Sequence, residues 1–124
     1  MRRISYLGKV YGDEKSKAIA GCDIFVFPTF YENECFPLVL LDAMQQGKPI
    51  VTSDEGGIPD IINDNINGFI TSIDTPNSVA AAIENLLNNS ELGIKMGKRG
   101  YYIFSDKFSI ETFEKTILNI FESV

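Results

Sequence analysis

Two carboxylates, Glu34 and Asp42, flank a segment that the sequence marks as the start of a buried helix. Pro37 suits the first helical position, the apolar residues 38–41 follow it, and Gly47 can close the helix in a left-handed conformation. The first amides of such a helix have no partner within it, and together with the helix dipole they attract an anion, typically a phosphate. The segment therefore predicts an anion site with an acid on each side.

The amides of this helix start belong to Phe36, Leu38 and Val39. Asp42 lies four residues after Leu38, which puts its carboxylate on the face below these amides, while Glu34 lies in the loop before them. Carboxylates bind sugar hydroxyls but repel a bare phosphate, so the combination favours a ligand with both phosphate and hydroxyl groups. A purely structural helix start, with both acids merely solvated, is an equally open interpretation of the spacing.

The rest of the chain predicts the frame that positions this site. Strand-like apolar segments alternate with helix-like segments about every twenty to twenty-five residues, as right-handed parallel crossovers require. We therefore expect an α/β fold, a Rossmann-like three-layer domain with a parallel sheet of about four strands, as a single partial domain over residues 1–124. The strands are expected at residues 4–8, 23–28, 49–53 and 69–71, with 23–28 as a central strand buried on both faces. The helices are expected at residues 13–22, 37–46, 59–62, 77–88, 90–104 and 110–121. In the helix 77–88 an apolar stripe that includes Leu86 and Leu87 is expected in the core, and the glycines of the helix 90–104 are expected to weaken it.

The carboxyl ends of the expected strands bring several loops to one edge of the sheet, where open parallel sheets bind their ligands. Gly8, residues 29–34 and residues 54–57 each follow an expected strand. In the last of these loops, the paired glycines Gly56 and Gly57 allow close approach of the backbone to a ligand, or simply a tight turn. The loops therefore converge on the same edge as the predicted anion site.

Composition excludes several classes of function. The 124 residues are 44% hydrophobic, enough for one core, and the net charge of −6 argues against nucleic acid or an anionic membrane as the main partner. No apolar run approaches the roughly 18 residues of a spanning helix, and the N-terminus lacks a signal-like core, so we expect a cytoplasmic chain. Lys15 and Lys17 could reach a phosphate, although solvated lysines are commoner.

The absence of histidine removes Ser-His-Asp and Cys-His catalysis and histidine-based metal sites. Cys22 and Cys35 occupy different settings and are expected to be reduced thiols. The chemistry that remains is that of carboxylates, hydroxyls and backbone amides.

Several spaced motifs together resemble the retaining family 4 glycosyltransferases of the GT-B fold. They are residues 34–44 (ECFPLVLLDAM), residues 47–51 (GKPIV) and residues 56–59 (GGIP), and the resemblance extends from residues 6–8 through residues 67–69 into the helices beyond. The nucleotide-sugar domain of that family carries two glutamates separated by seven residues. The resemblance implies a part of the C-terminal donor-binding domain, without the N-terminal acceptor domain.

The resemblance also implies roles for individual residues. Glu34 matches the catalytic acid that lies against the donor sugar, and Asp42 matches the acid that holds the nucleotide ribose. Because Asp42 replaces a glutamate, its carboxylate reaches about 1.5 Å less, and the ribose contact is either direct, lost or bridged by water. The implied sugar and diphosphate contacts further include Cys35, Phe36, Pro37 and Leu38; the implied ribose and base contacts include Val39, Gly8 and Val10; and the implied cleft rim is Thr29, Gly56 and Gly57.

The function implied is transfer of a hexose from a UDP- or GDP-sugar to a glycan, lipid or small acceptor, with retention and without a metal or other cofactor. Such transferases act in surface polysaccharide or glycan biosynthesis, and the parent is expected in the cytoplasm or at the inner membrane face. As a partial domain the chain alone should be nearly inactive. Its last helix is expected to offer an apolar face to a partner, which includes a homodimer of the fragment.

Two other classes stay open. A non-catalytic nucleotide-binding or oligomerisation module would keep the same fold without turnover, and silence toward UDP and GDP would favour it. A signalling receiver-like domain needs an acidic cluster after an early strand and a lysine after a late one, and site-specific effects of magnesium would favour it.

Overall fold

The computed structural model describes residues 4–29, 38–72 and 76–123. The strands are β1 (Phe25–Phe27), β2 (Ile50–Ser53) and β3 (Gly68–Thr71), and the helices are α1 (Gly12–Ala20), α2 (Leu38–Gln45), α3 (Pro76–Asn88), α4 (Ser90–Ile103) and α5 (Ile110–Glu122). A 3₁₀ turn (Ile58–Asp60) precedes β3, and a π-helical turn (Phe104–Phe108) joins the last two helices. The three strands described form one parallel sheet in the order β1-β2-β3, which confirms the predicted α/β architecture.

The central strand β2 is fully buried because helices cover both faces of the sheet. On one face Ile50 packs in a cluster that contains Leu40 and Met44 of α2. On the other face Val51 packs with Leu86 of α3 and with α4. Successive residues of a strand point to opposite faces, so one four-residue strand anchors both helical layers.

Two strand predictions are wrong. Residues 4–8 form no strand and lie exposed, so the described sheet has three strands and not about four. Residues 23–28 were expected as a central strand buried on both faces, but β1 lies at the edge of the described sheet and Val26 is exposed. Strand formation depends on pairing and burial as well as composition. Among the described strands, β1 pairs with β2 alone, and residues 4–8 pair with none.

The predicted helix end at Gly47 is confirmed. Gly47 has φ 67°, its amide donates to the Met44 carbonyl at 3.0 Å, and the Lys48 amide donates to the Ala43 carbonyl at 3.1 Å. These two bonds form a Schellman motif, in which a left-handed residue satisfies the last carbonyls of a helix. The motif fixes the turn from α2 into β2.

The glycines of α4 were expected only to weaken that helix, and the structure gives them another role. α4 is continuous, and Gly93, Gly97 and Gly100 are buried in it. A Cβ on Gly97 would lie 2.0 Å from the Gly47 carbonyl oxygen. The missing side chain therefore lets α4 lie directly on the turn that follows α2.

The last helices differ in burial. In α3 the predicted apolar stripe is largely confirmed, with Leu86 buried, but Leu87 is exposed instead of belonging to the core. None of the side chains described for α5 is buried, and Phe113 and Phe121 are both exposed. The apolar face of α5 is thus uncovered, while a homodimer through it stays a prediction. Among the helices described, none has the length and apolar composition that crossing a bilayer requires.

Candidate functional site

Hydrogen bonds from side-chain hydroxyl groups connect the carboxyl ends of the three strands. Thr52 Oγ1 donates to the Phe27 carbonyl at 2.7 Å, and Ser53 Oγ donates to the Thr29 carbonyl. Thr71 Oγ1 in turn donates to the Thr52 carbonyl at 3.0 Å. These bonds hold the strand ends at fixed positions, so the loops that follow start from a rigid edge.

Sequence reasoning placed Thr29 at this edge but missed the other hydroxyl groups. The sequence feature that could have revealed them is the pair Thr52-Ser53 at the end of an otherwise apolar strand. Both side chains are fully buried, and a buried hydroxyl needs a hydrogen-bond partner. A buried polar pair at a strand end therefore predicts cross-strand bonds.

Asp42 faces α1 and pairs with a cation there. Its Oδ2 lies 2.9 Å from Lys15 Nζ, and the two side chains are 35% and 39% exposed. A partly exposed pair of this kind adds at most about 1 kcal/mol to stability. The sequence suggested each residue separately as a ligand contact but did not predict that they meet.

Two further contacts show how α1 and α2 lie side by side. Gln46 Nε2 donates to the Ser16 carbonyl at 2.9 Å, and Lys48 Nζ donates to the Ala20 carbonyl at 3.0 Å. Both helices thus run in the same direction, and the ion pair joins the fourth residue of α1 to the fifth residue of α2, near the middle of each helix. The pair therefore lies about one turn beyond the start of α2, the end at which a phosphate was predicted.

One side of the first turn of α2 faces solvent. Leu38 is 67% exposed, and Val39 is half-buried. The exposed Leu38 contrasts with Leu40 in the same turn, which is fully buried against the sheet. The Leu40 side of the turn therefore anchors α2 to the sheet, while the Leu38 side is exposed.

Four of the predicted contacts, Glu34, Cys35, Phe36 and Pro37, lie outside the described residues. Their roles stay predictions.

The turn after β2 needs only one of its two glycines for its backbone conformation. Gly56 has φ 52°, a left-handed value, whereas Gly57 has φ −83° and ψ 3°, which other residues adopt. The Ile58 amide donates to the Glu55 carbonyl at 3.0 Å and closes the turn. The chain direction at the predicted cleft rim is therefore set by Gly56.

Gly8 and Val10 lie shortly before the α1 turn that holds Lys15. Gly8 has φ 70°, and Val10 is half-buried. Within the described ranges, no hydrogen bond or ion pair links Gly8, Val10 or Gly56 to Asp42. The structure thus joins Asp42 with Lys15 directly. Of the other predicted contacts, Gly56 follows the carboxyl end of β2, and Gly8 and Val10 precede α1.

The remaining reactive groups are few. Burial raises the pKa of the Cys22 thiol, which favours its protonated form, and this cysteine has no disulfide partner. In the part of the chain that the structure describes, no cluster of three His, Cys, Asp or Glu side chains could hold a metal ion. Carboxylate, ammonium and hydroxyl groups at the strand ends therefore provide the polar chemistry of this site.

Comparison with known proteins assigns the family. Residues 2–102 match the model for glycosyl transferases group 1, so the chain belongs to that family. An uncharacterized glycosyltransferase from Methanocaldococcus jannaschii is 30% identical over 123 residues, which cover 97% of this chain and 30% of that protein. The chain spans about a third or less of the length of the curated relatives it matches.

Solved structures confirm the fold, which is that of GT-B glycosyltransferases. Sucrose-phosphate synthase from Thermosynechococcus elongatus superimposes with a TM-score of 0.87 at 22% identity, over 98% of this chain and 30% of that one. HepE from Anabaena, in complex with UDP-glucose, gives 0.81 at 23% identity, over 92% and 31%. The C-terminal domain of a group 1 glycosyl transferase from Francisella tularensis, LpcC, gives 0.72 at 25% identity, over 84% and 53%.

Proposed function

We propose that this chain is part of the C-terminal, donor-binding domain of a retaining glycosyltransferase and binds the nucleotide part of a UDP- or GDP-sugar. The observation that carries the proposal is the Lys15–Asp42 pair, which lies about one turn beyond the start of α2, where the Leu38 side chain is exposed. A cation and a carboxylate this near a helix start match a ligand with phosphates and hydroxyls. The UDP-glucose complex of HepE and the C-terminal placement of the LpcC domain agree with this assignment.

In this proposal Asp42 and Lys15 contact different parts of the nucleotide. Asp42 accepts hydrogen bonds from the ribose hydroxyls, and the Lys15 ammonium, which pairs with Asp42, neutralises charge on the diphosphate. The pair holds the shorter aspartate side chain toward α1. If that position leaves the ribose out of reach, a water molecule bridges the gap.

The group that would act on the sugar is Glu34, which we propose as the catalytic residue against the donor hexose. The amides of Phe36 and Leu38 would stabilise the negative charge on the diphosphate as its bond to the sugar breaks. Helix amides and Lys15 supply positive charge at this point, so the proposal includes no metal or other cofactor.

Calorimetry on the 124-residue chain tests nucleotide binding. We expect UDP or GDP to bind, and Asp42→Asn to weaken binding about tenfold because the neutral amide is a poorer acceptor for ribose hydroxyls. The matched control is Asp60→Asn, which changes an exposed acid of the 3₁₀ turn.

Unchanged affinity in Asp42→Asn would contradict the ribose role. No binding of either nucleotide at millimolar concentration would favour the alternative function, a module that keeps the fold without using the donor site.

The transfer reaction belongs to the parent protein in this proposal. We propose a hexosyltransferase that acts with retention on a glycan, lipid or small acceptor, in polysaccharide or glycan biosynthesis, in the cytoplasm or at the inner membrane face. The chain covers a minor part of its relatives, so we expect negligible transfer from a radiolabelled UDP-hexose by this chain alone. Measurable transfer to an added acceptor would contradict that expectation.

A further inference from the structure

A groove of about 420 Å³ lies between the end of α2 and the second half of α4. It shares no lining residue with the predicted donor site. The Gly47–Gly97 contact fixes the separation of the two segments that form it. The groove is lined by Gln45, Gln46, Gly47, Lys98, Tyr101 and Tyr102.

Tyr101 and Tyr102 form an aromatic wall of the groove. Their ring centroids lie 6.1 Å apart, with an angle of 70° between the ring planes. Tyr101 is 46% exposed and Tyr102 is 70% exposed. Exposed rings of this kind combine an apolar face with a polar hydroxyl, which suits ligands that have both apolar and hydroxyl-bearing surfaces.

The amide side chains provide polar contacts opposite this wall. Gln46 donates through Nε2 to the Ser16 carbonyl at 2.9 Å, which orients its side chain. Within the described residues no hydrogen bond engages the side chain of Gln45, which is exposed. An amide can both donate and accept, as recognition of hydroxyl groups requires.

Lys98 is the charged residue among those that line the groove, and none of them is a carboxylate, although the chain as a whole carries −6. Lys95 lies one turn earlier in α4, whereas Arg99 donates to the Ile66 carbonyl at 3.5 Å. This local excess favours a ligand that carries negative charge.

We propose that this groove binds a short acidic oligosaccharide. Sugar rings pack their C–H faces on the tyrosines, the glutamine amides bond to hydroxyls, and Lys98 pairs with an acid group. Rings set at 70° cannot both lie flat on a membrane surface, and Lys98 as the lining cation does not match a phosphate at every nucleotide of a nucleic acid, so the glycan fits best. This binding goes beyond the proposed donor function and does not depend on it.

Calorimetry and NMR with tetragalacturonate as the probe test the proposal on the intact 124-residue chain, with maltotetraose as the neutral counterpart. We expect saturable binding of the acidic probe and weaker binding of the neutral one. Tyr102→Ala should weaken binding roughly five- to tenfold, as loss of a ring contact does. Lys98→Gln should remove the preference for the acidic probe.

The controls separate the groove from other sites and from misfolding. Tyr11→Ala changes a tyrosine that is 74% exposed and lies outside the groove, and it should leave binding unchanged. Tyr102→Phe keeps the ring and should retain most of the affinity. Asp42→Asn and added UDP should not affect the probe, so that failure here and failure at the donor site are distinguishable.

Three results would overturn the proposal. They are no saturable tetragalacturonate binding, binding that Tyr102→Ala leaves unchanged, and competition of the probe with UDP. Binding to phosphatidylglycerol vesicles or to oligothymidylate in place of tetragalacturonate would equally overturn it.

Discussion

Glycine serves different purposes at the two ends of the parallel strands, which we call the amino edge, where the strands begin, and the carboxyl edge, where they end. At the amino edge, Gly97 and Gly68 are sites of close contact, since a Cβ would lie 2.0 Å from the Gly47 carbonyl oxygen and 2.6 Å from the Ile50 carbonyl oxygen, respectively. At the carboxyl edge, Gly56 in the turn after β2 has φ 52°, a left-handed value. Glycine thus permits close packing at the amino edge, in addition to the left-handed turn at Gly47, and sets the chain direction at the carboxyl edge.

The polar groups also differ between the two edges. Hydroxyl bonds fix the strand ends at the carboxyl edge, and the Lys15–Asp42 pair lies about one turn beyond the start of α2. The amino edge carries the Schellman turn and the tight helix contact instead. The difference indicates that substitutions in the Gly47–Gly97 contact should change stability, whereas substitutions in the Lys15–Asp42 pair should change ligand binding.

The largest expected effect is at the amino edge. Gly97→Ala should lower the free energy of unfolding by about 3 kcal/mol or more, because the new methyl group overlaps backbone that cannot move away easily. Denaturant titration followed by circular dichroism measures this change.

Gly93→Ala is the matched control in the same helix. The added Cβ would have Pro49 Cγ as its nearest described neighbour, at 3.7 Å, so the substitution should be neutral or stabilising by up to about 1 kcal/mol. Equal effects of the two substitutions would contradict the role assigned to the Gly47–Gly97 contact.

Substitution of Lys15 should change UDP binding more than stability. Lys15→Gln should weaken UDP binding about tenfold because a diphosphate loses its cation, yet change stability by less than about 1 kcal/mol. Calorimetry and denaturant titration measure the two quantities. Lys17→Gln, in the same helix, should change neither, and a similar loss of affinity in both variants would point to net charge instead of position.

A smaller effect on stability is expected from the hydroxyl bonds. Thr52→Val keeps the shape of a fully buried side chain but removes its bond to the Phe27 carbonyl, which should cost about 1 to 2 kcal/mol. Thr116→Val in the exposed helix α5 loses only a local bond and should be nearly neutral. Thermal unfolding compares them, and a neutral Thr52→Val would show that this hydroxyl does not hold the strand ends.

The smallest effect concerns alkaline pH. Burial raises the pKa of Cys22, so the folded state favours the thiol form, and this contribution is present below the unfolded thiol pKa of about 8.5 and is lost as pH rises above it. The wild type should therefore lose more stability between about pH 7 and pH 10 than Cys22→Ala does. Parallel denaturant titrations at both pH values check this, and identical losses would contradict it.

Much of the fold could be predicted because local signals agree with it. Gly47 after an apolar run gave the end of α2, and the alternation of segments gave the parallel sheet. The strand predicted at residues 4–8 is wrong because apolar composition alone does not provide a strand with a neighbour.

Part of the site could not be predicted, because it depends on contacts between distant segments. The Lys15–Asp42 pair and the Gly47–Gly97 contact each join residues that no local pattern relates. The position of Asp42 on α2 was predictable from helical spacing, but its partner depends on how α1 lies beside α2. Glu34 remains a prediction from the motif.

NMR titration of the ¹⁵N-labelled chain with UDP tests the contrast between the two edges most directly. The account predicts shifts of the amides of Lys15, Leu38 and Asp42, with Gly47 and Gly97 unaffected. Shifts centred on Gly47 and Gly97, or no shifts at millimolar UDP, would contradict it.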